Sequence, residues 1–389
     1  MNRTPVALVA LVLALGGCAA PGAPSTASQA PPQAAAGGGV GGASAAPAAG
    51  DAVLWPDNAT VSHIFYHPLV VDPARAFAAD NPDAPGLMQY MVTIGEFKAQ
   101  LVELHARGYV LVHPQRLARR DAAGVMHWTP LSLPPGKKPL VLSIDDVSYN
   151  SNTVGNGFAS NLTLDAAGKV TNTYTDAAGT TTTGSFDVST VLDDFVAAHP
   201  DFSLEGDKGT IALTGYEGVL GYRSSPSVHG DTAETRAQAA QAKAVADALK
   251  ATGWKFASHS FGHRDYGKLS LASLKADDAR WHADVEPVVG ETDMIVYAYG
   301  ADIEDATRYA RSNAKFAYLS DQGFDYFFNV DASVAHWVQL RPDSMRMGRI
   351  NIDGITLSRA IEGRQDVLPL FFDAKAVIDP LRPLPTPGA

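Results

Sequence analysis

The stretch PLVLSIDDVSYN, from Pro139 to Asn150, decides how the rest of the chain is read. An apolar run with strand propensity delivers two adjacent aspartates, Asp145 and Asp146, into a polar turn. Successive side chains of a strand point to opposite faces, so neighbouring carboxylates there can be given separate tasks. Standing alone, the pair would read as a solvated turn or a helix cap.

The surroundings favour a sheet. VSHIFYHP, YVLVHP, TIALTGY, WKFASHS, DMIVYAYG and DYFFNV are further short apolar runs of strand type. Between them lie helix-like segments. TIGEFKAQLVELHARGY opens with Thr93 and Glu96 at capping-box spacing, and TAETRAQAAQAKAVADALKATGW, SLASLKADDARWHADVEPVV and EDATRYARSNAKFAYLSDQG follow. Repeated strand–helix units imply a parallel sheet with helices outside it, and residues 51–389 suit a single (β/α) barrel. The Thr-rich LTLDAAGKVTNTYTDAAGTTTTGSFDV breaks the rhythm and reads as an inserted β-hairpin, within about residues 150–190. Trp254, Trp281 and Trp337 read as core or groove walls rather than cofactor contacts.

The N-terminus reads as a targeting segment. One basic residue, Arg3, precedes an apolar run from Val6 to Leu15, and small residues lead to the only cysteine, Cys18. The run is too short for a membrane span and has the layout of a secretory signal, residues 1–18. Its ending, Leu15-Gly16-Gly17-Cys18, resembles a bacterial lipobox, which implies a lipid on Cys18 and an extracytoplasmic protein anchored to the cell envelope. Residues 19–50 are Ala, Gly, Pro, Ser and Gln without periodicity, the composition of a disordered tether. A net charge of -11 argues against nucleic acid as a partner.

In parallel α/β sheets chemistry collects at the carboxyl ends of the strands. Asp145 and Asp146 sit at one such end. His259 and His263, in WKFASHSFGHRDYG, follow another. On a helical turn, H-x-x-x-H puts both imidazoles on one face, where they can share a cation. One carboxylate and two imidazoles make a facial set with open positions, suited to a single divalent ion: zinc first, with cobalt or nickel as alternatives. The second carboxylate is then free to take a proton from water. His63 and His67 repeat the spacing on an apparent strand, where four residues span roughly 13 Å, too far to share one ion. His63 therefore reads as structural, whereas His67, before Pro68, ends its strand at the level of the aspartates. No G-x-G-x-x-G or Walker pattern supports a nucleotide.

SIDD followed by HSFGH resembles the paired motifs of the polysaccharide deacetylases, the NodB-like carbohydrate esterase group, usually T-F-D-D-G and H-S/T-x-x-H-P. The resemblance runs from about Val61 to Phe328, the hairpin excepted. It implies a deformed (β/α) barrel that removes N-acetyl groups from a polysaccharide such as poly-N-acetylglucosamine or peptidoglycan. It further implies that Asp145 is the general base, that Asp146, His259 and His263 bind the metal, and that the Tyr299 backbone N–H in IVYAYG helps hold the oxyanion. IFYHPLV resembles the M-Y-H strand of secreted poly-N-acetylglucosamine deacetylases, whose motif order is permuted; there His67 would be the general acid. LSIDD, ALTGYEGVLGYR and YAYG together resemble a bacterial lipoprotein subgroup of that kind.

The chain departs from the pattern at Val147, Arg264 and Val296, where the family has glycine, proline and arginine. That arginine orients the catalytic aspartate, and Arg264, Arg223 and Arg349 are the candidates to replace it. No L-x-H motif appears near the C-terminus, where RINIDG stands instead. The departures leave a rival expectation, a catalytically silent glycan-binding lipoprotein on the same barrel.

Overall fold

The computed structural model describes residues 52–305 and 309–383. The signal segment 1–18 with Cys18, and the tether 19–50, lie outside the described residues. Among the described residues, no helix is long and apolar enough to cross a membrane.

Seven parallel strands close into a barrel: β1 Ser62–Tyr66, β2 Lys138–Asp145, β3 Thr210–Leu213, β4 Lys255–Ser258, β5 Met294–Val296, β6 Tyr326–Val330 and β7 Ser344–Asn351. Each pairs with the next in the chain. The last returns to the first through Ile350↔Ile64 and Asn351↔Phe65. Among the described residues, the helices of eight residues or more are α1 Ile94–Ala106, α2 Val188–Ala198, α3 Ala233–Ala251, α4 Leu271–Asp284, α5 Ala314–Asp321 and α6 Gly354–Ile361. The ring is deformed in two places. β4 and β5 meet at one residue pair, Ser258↔Ile295. The β6–β7 connection carries no helix; Val338–Arg341 runs back antiparallel along β7.

Both faces of these strands are buried, which is why they read as continuous apolar runs. Val141, Ala212, Ala257, Val296, Phe328 and Met347 belong to the cluster that fills the barrel. Their alternating neighbours Leu140, Leu142, Ile144, Ile211 and Leu213 pack outward, with Trp254 and Trp281, against the helices. The capping box that opens α1 is formed, with Thr93 Oγ1 accepting from the Glu96 N–H at 3.1 Å.

Three local readings differ from the sequence expectation, and one strand was not among the runs read as strands. YVLVHP forms only Tyr109–Leu111, which pairs with the start of β2 and is not a stave of the ring. Among its described residues, the segment around Glu304–Gly323 yields helix only from Ala314, because Asn313 caps it there by accepting from the Lys315 and Phe316 N–H groups. Tyr309 instead enters the core and hydrogen-bonds Tyr297. The insertion is a three-stranded antiparallel sheet, Asn161–Leu164, Val170–Thr175 and Thr181–Gly184. Its two DAAG turns form because Asp165 Oδ1 accepts from Ala167 and Lys169, and Asp176 Oδ1 from Ala178 and Thr180. Finally, SMRMGRIN forms β7, which its two arginines disguise as polar sequence.

Candidate metal centre and active site

Asp145 is the last residue of β2. It is in phase with Val141 and Ser143, so its carboxylate enters the barrel mouth, where it is only 3% exposed. Asp146 follows with φ 59°, a left-handed conformation that ends the strand and turns the second carboxylate away from the first. The adjacent aspartates thus occupy different environments.

The two histidines come from the loop after β4. This loop is not a helical turn: Ser260 and His263 have φ 60° and 50°. What stabilises it is Asp277 on α4, whose buried carboxylate accepts from the N–H groups of Phe261 at 2.7 Å and Gly262 at 3.0 Å and from the Tyr266 hydroxyl at 3.1 Å. The loop nevertheless brings the two imidazoles to a centroid separation of 5.0 Å. His259 Nδ1 donates to the Val296 carbonyl at 2.8 Å, so in a neutral ring the lone pair lies on Nε2, the nitrogen that faces Asp145. Burial holds the His263 imidazole below its ordinary pKa, against the pull of Asp146, whose Oδ2 lies 3.6 Å from His263 Nε2.

One ligand atom each from Asp146, His259 and His263 lies within 4.8 Å of the other two. Two neutral imidazole nitrogens and one carboxylate oxygen are the donor set of a borderline divalent cation, and the tautomer fixed by Val296 presents a lone pair to it. The residues fit a single ion.

Asp145 stands beside this set, with Oδ2 3.9 Å from His259 Nε2. It is held by Arg349, wholly buried on β7, through Nη1 to Oδ1 at 2.7 Å and Nη2 to Oδ2 at 2.9 Å. Arg349 also donates to Ser143 Oγ at 3.2 Å, and its guanidinium lies 4.0 Å from the centre of the Phe65 ring. Burial would raise the Asp145 pKa, but Arg349, then His259 and His67, outweigh it and hold the carboxyl at about 2. Of the three candidate arginines, Arg349 is therefore the one on the aspartate. Arg264 is exposed, and Arg223 donates to the Glu217 and Tyr149 carbonyls. Val296, where the family has arginine, contributes its carbonyl to His259 instead.

Tyr299 has φ 60° and is 71% exposed, its ring 4.3 Å from the His263 ring between centroids. His67 is partly buried just beyond β1 and within electrostatic reach of Asp145. His63 is wholly buried, hydrogen-bonded to Ser143 Oγ at 2.9 Å and edge-on to Phe328, a structural position. Sequence reading did not find Asp277 or Ser143. The signal for Ser143 was its inward phase with Asp145; nothing in the sequence tied Asp277 to the histidine loop.

No protein-family model matches the chain, and no curated protein does. A solved structure, Streptococcus pyogenes deacetylase PplD in complex with acetate, is 13% identical, with a TM-score of 0.41. The match covers 79% of this chain and 98% of that one. At that distance the likeness adds nothing to what the geometry of the site itself says.

Proposed function

We propose that this protein is a metal-dependent deacetylase that hydrolyses N-acetyl groups on an extracytoplasmic polysaccharide. The observation that carries this reading is a buried, arginine-clamped carboxylate beside a carboxylate–imidazole–imidazole set at the carboxyl end of the barrel. Asp146, His259 and His263 would hold the ion, zinc by preference. When bound, it would supply Lewis acidity to the acetamide carbonyl and lower the pKa of water to about 7. Asp145 takes that proton as the water oxygen adds to the acetamide carbon, and Arg349 keeps the carboxylate ionised and aimed. The Tyr299 N–H donates to the oxyanion as the carbonyl bond opens. His67 gives a proton to the nitrogen as the C–N bond breaks, leaving acetate and a free amine.

The rival, a silent glycan-binding barrel, drew its support from the altered motif residues. Arg349 weakens it, because the lost arginine's task is performed from another strand. Acetate release from N-acetylglucosamine oligomers, abolished by a chelator and restored by zinc, is the deciding experiment. Metal-loaded protein that releases none while still binding the oligomers would establish the rival instead.

The reading includes a signal segment 1–18, lipid on Cys18, a tether 19–50 and a catalytic domain 51–389. Radiolabelled palmitate should be incorporated by the wild type and not by Cys18→Ser; equal labelling of both would exclude the anchor.

A further inference from the structure

The inserted sheet, residues 161–184, lies in the chain between the aspartate pair and α2, and the chemistry of the mouth gives it no task. Its middle strand carries Asn172, a wholly buried carboxamide. Asn172 Nδ2 donates to the Tyr149 hydroxyl at 2.9 Å. Its Oδ1 accepts from Thr190 Oγ1 at 2.6 Å and from the Phe186 N–H at 3.1 Å. The Tyr149 hydroxyl in turn donates to Asp187 Oδ2. Asp187 caps the N-terminus of α2 and is 2% exposed. Its other oxygen accepts from the Leu69 N–H at 3.0 Å and the Val188 N–H at 2.7 Å. One buried carboxylate thus joins the segment after β1, the turn after β2, the inserted sheet and α2.

Hydrogen bonds to an ionised acceptor are about twice as strong as neutral ones, so Asp187 fixes the groups that donate to it. Two of those groups flank the metal centre. Tyr149 lies three residues beyond Asp146, and Leu69 two residues beyond His67. They do not depend on Asp187 equally. The turn bearing Asp146 has supports of its own: the Asp146 N–H donates to the Ala212 carbonyl at 3.2 Å, the Leu220 N–H to the Val147 carbonyl at 2.9 Å, and Arg223 to the Tyr149 carbonyl at 3.0 Å. Beyond His67, Pro68 has no N–H, so the first backbone donor is that of Leu69, and it goes to Asp187. Withdrawing Asp187 therefore loosens the segment that carries His67 before it disturbs the metal ligands.

We infer that Asp187 is a positioning residue for His67, and that the inserted sheet holds it in place through Asn172 and Tyr149. This rests on the deacetylase reading, in which His67 protonates the departing amine. Two substrates separate that step from the rest. The amine of an N-acetylglucosamine oligomer needs a proton to leave, whereas the nitrophenolate of 4-nitrophenyl acetate leaves without one. Misplacing a catalytic group by about 1 Å can cost about 10²-fold. In zinc-loaded protein, Asp187→Asn should lower the ratio of amide to ester kcat at least about tenfold, with metal content unchanged. Tyr149→Phe keeps the ring and removes one donor; it should lower the ratio less, and it carries the test should Asp187→Asn fail to fold. In a His67→Ala background neither substitution should lower the ratio further. A merely structural role would depress both substrates alike, and that result, or a full further loss in His67→Ala, would overturn the inference. If the wild type releases no acetate from the oligomer, the deacetylase reading fails on its own, and nuclear magnetic resonance of the imidazoles decides the positioning. The ring signals missing from His67→Gln should shift in Asp187→Asn and Tyr149→Phe while those of His282 on α4 stay in place. His67 signals unmoved by both substitutions would overturn it.

Discussion

Arg349 and Asp145 form a bidentate, fully buried ion pair across the barrel mouth, although their strands are not neighbours and β1 lies between them. The planar fork of arginine matches a carboxylate in a way a lysine ammonium cannot. Arg349→Lys should therefore lower kcat by at least about tenfold while metal content stays at the wild-type level. Arg349→Ala leaves a buried carboxylate unpaired and should cost about 3–5 kcal/mol in denaturant unfolding. An Arg349→Ala protein with wild-type turnover would remove the residue from the site.

The neighbouring aspartates should separate cleanly. Asp145→Asn should abolish acetate release and keep about one divalent ion per chain, because a base needs a titratable oxygen. Asp146→Asn and His259→Ala should lose the ion, since each removes a donor. Metal analysis by mass spectrometry beside circular dichroism decides it. Equal metal loss in both aspartate variants would mean that the tasks are not divided.

Asp277 touches no ligand atom, yet it takes two N–H groups from the loop that carries both imidazoles and holds two non-glycine residues at positive φ. Asp277→Asn turns one acceptor oxygen into a donor facing those N–H groups. Zinc affinity should fall about 10–100-fold, the usual effect of losing a residue that supports a metal ligand, and Asp277→Glu should recover part of it. Unchanged affinity with a lowered melting temperature would make the residue a structural cap only.

The barrel and the clustering of Asp146, His259 and His263 were legible because both are written in local pattern. Runs such as PLVLSIDD are apolar throughout since both faces of the strand are buried, and SIDD and HSFGH each lie at a strand end. What was not legible depends on pairings between distant segments. β7 carries two arginines that satisfy distant carboxylates, Arg346 on Asp302 and Arg349 on Asp145, so its sequence looks exposed while its residues are buried. The histidine loop was expected as a helical turn because Asp277, which replaces the helical hydrogen bonds, follows fourteen residues after His263.

His282 offers a pH test away from the mouth. Asp278, fully buried with an oxygen 3.5 Å from Nε2, raises its pKa most, burial opposes this, and contact with Glu286 adds to it, giving about 9. A pKa raised on folding from 6.5 means that the folded state binds the extra proton. The contribution is full below 6.5 and is lost as pH rises through about 9. The melting temperature should decline across that window, and the decline should be shallower in His282→Gln. Parallel wild-type and variant curves would show that the ion pair does not contribute.

In the proposed reaction the leaving amine needs an acid, and His67 and His336 stand on segments that follow β1 and β6 at the carboxyl end of the barrel. His67 follows β1, the strand between those bearing Asp145 and Arg349, and its side chain is partly buried where the charge of Asp145 is felt. His336 lies exposed on the loop after β6, where a proton donor would face bulk water. An imidazolium sheltered beside a carboxylate is the better placed to protonate nitrogen as the C–N bond breaks. His67→Ala should cut kcat by roughly 10²–10⁴-fold, leave metal content unchanged and abolish the alkaline limb of the pH–rate profile. His67→Gln should behave alike, since it keeps the shape and lacks the proton. If His336→Ala shows that loss while His67→Ala remains fully active, the acid is the exposed histidine and the proton enters from the β6 side of the mouth.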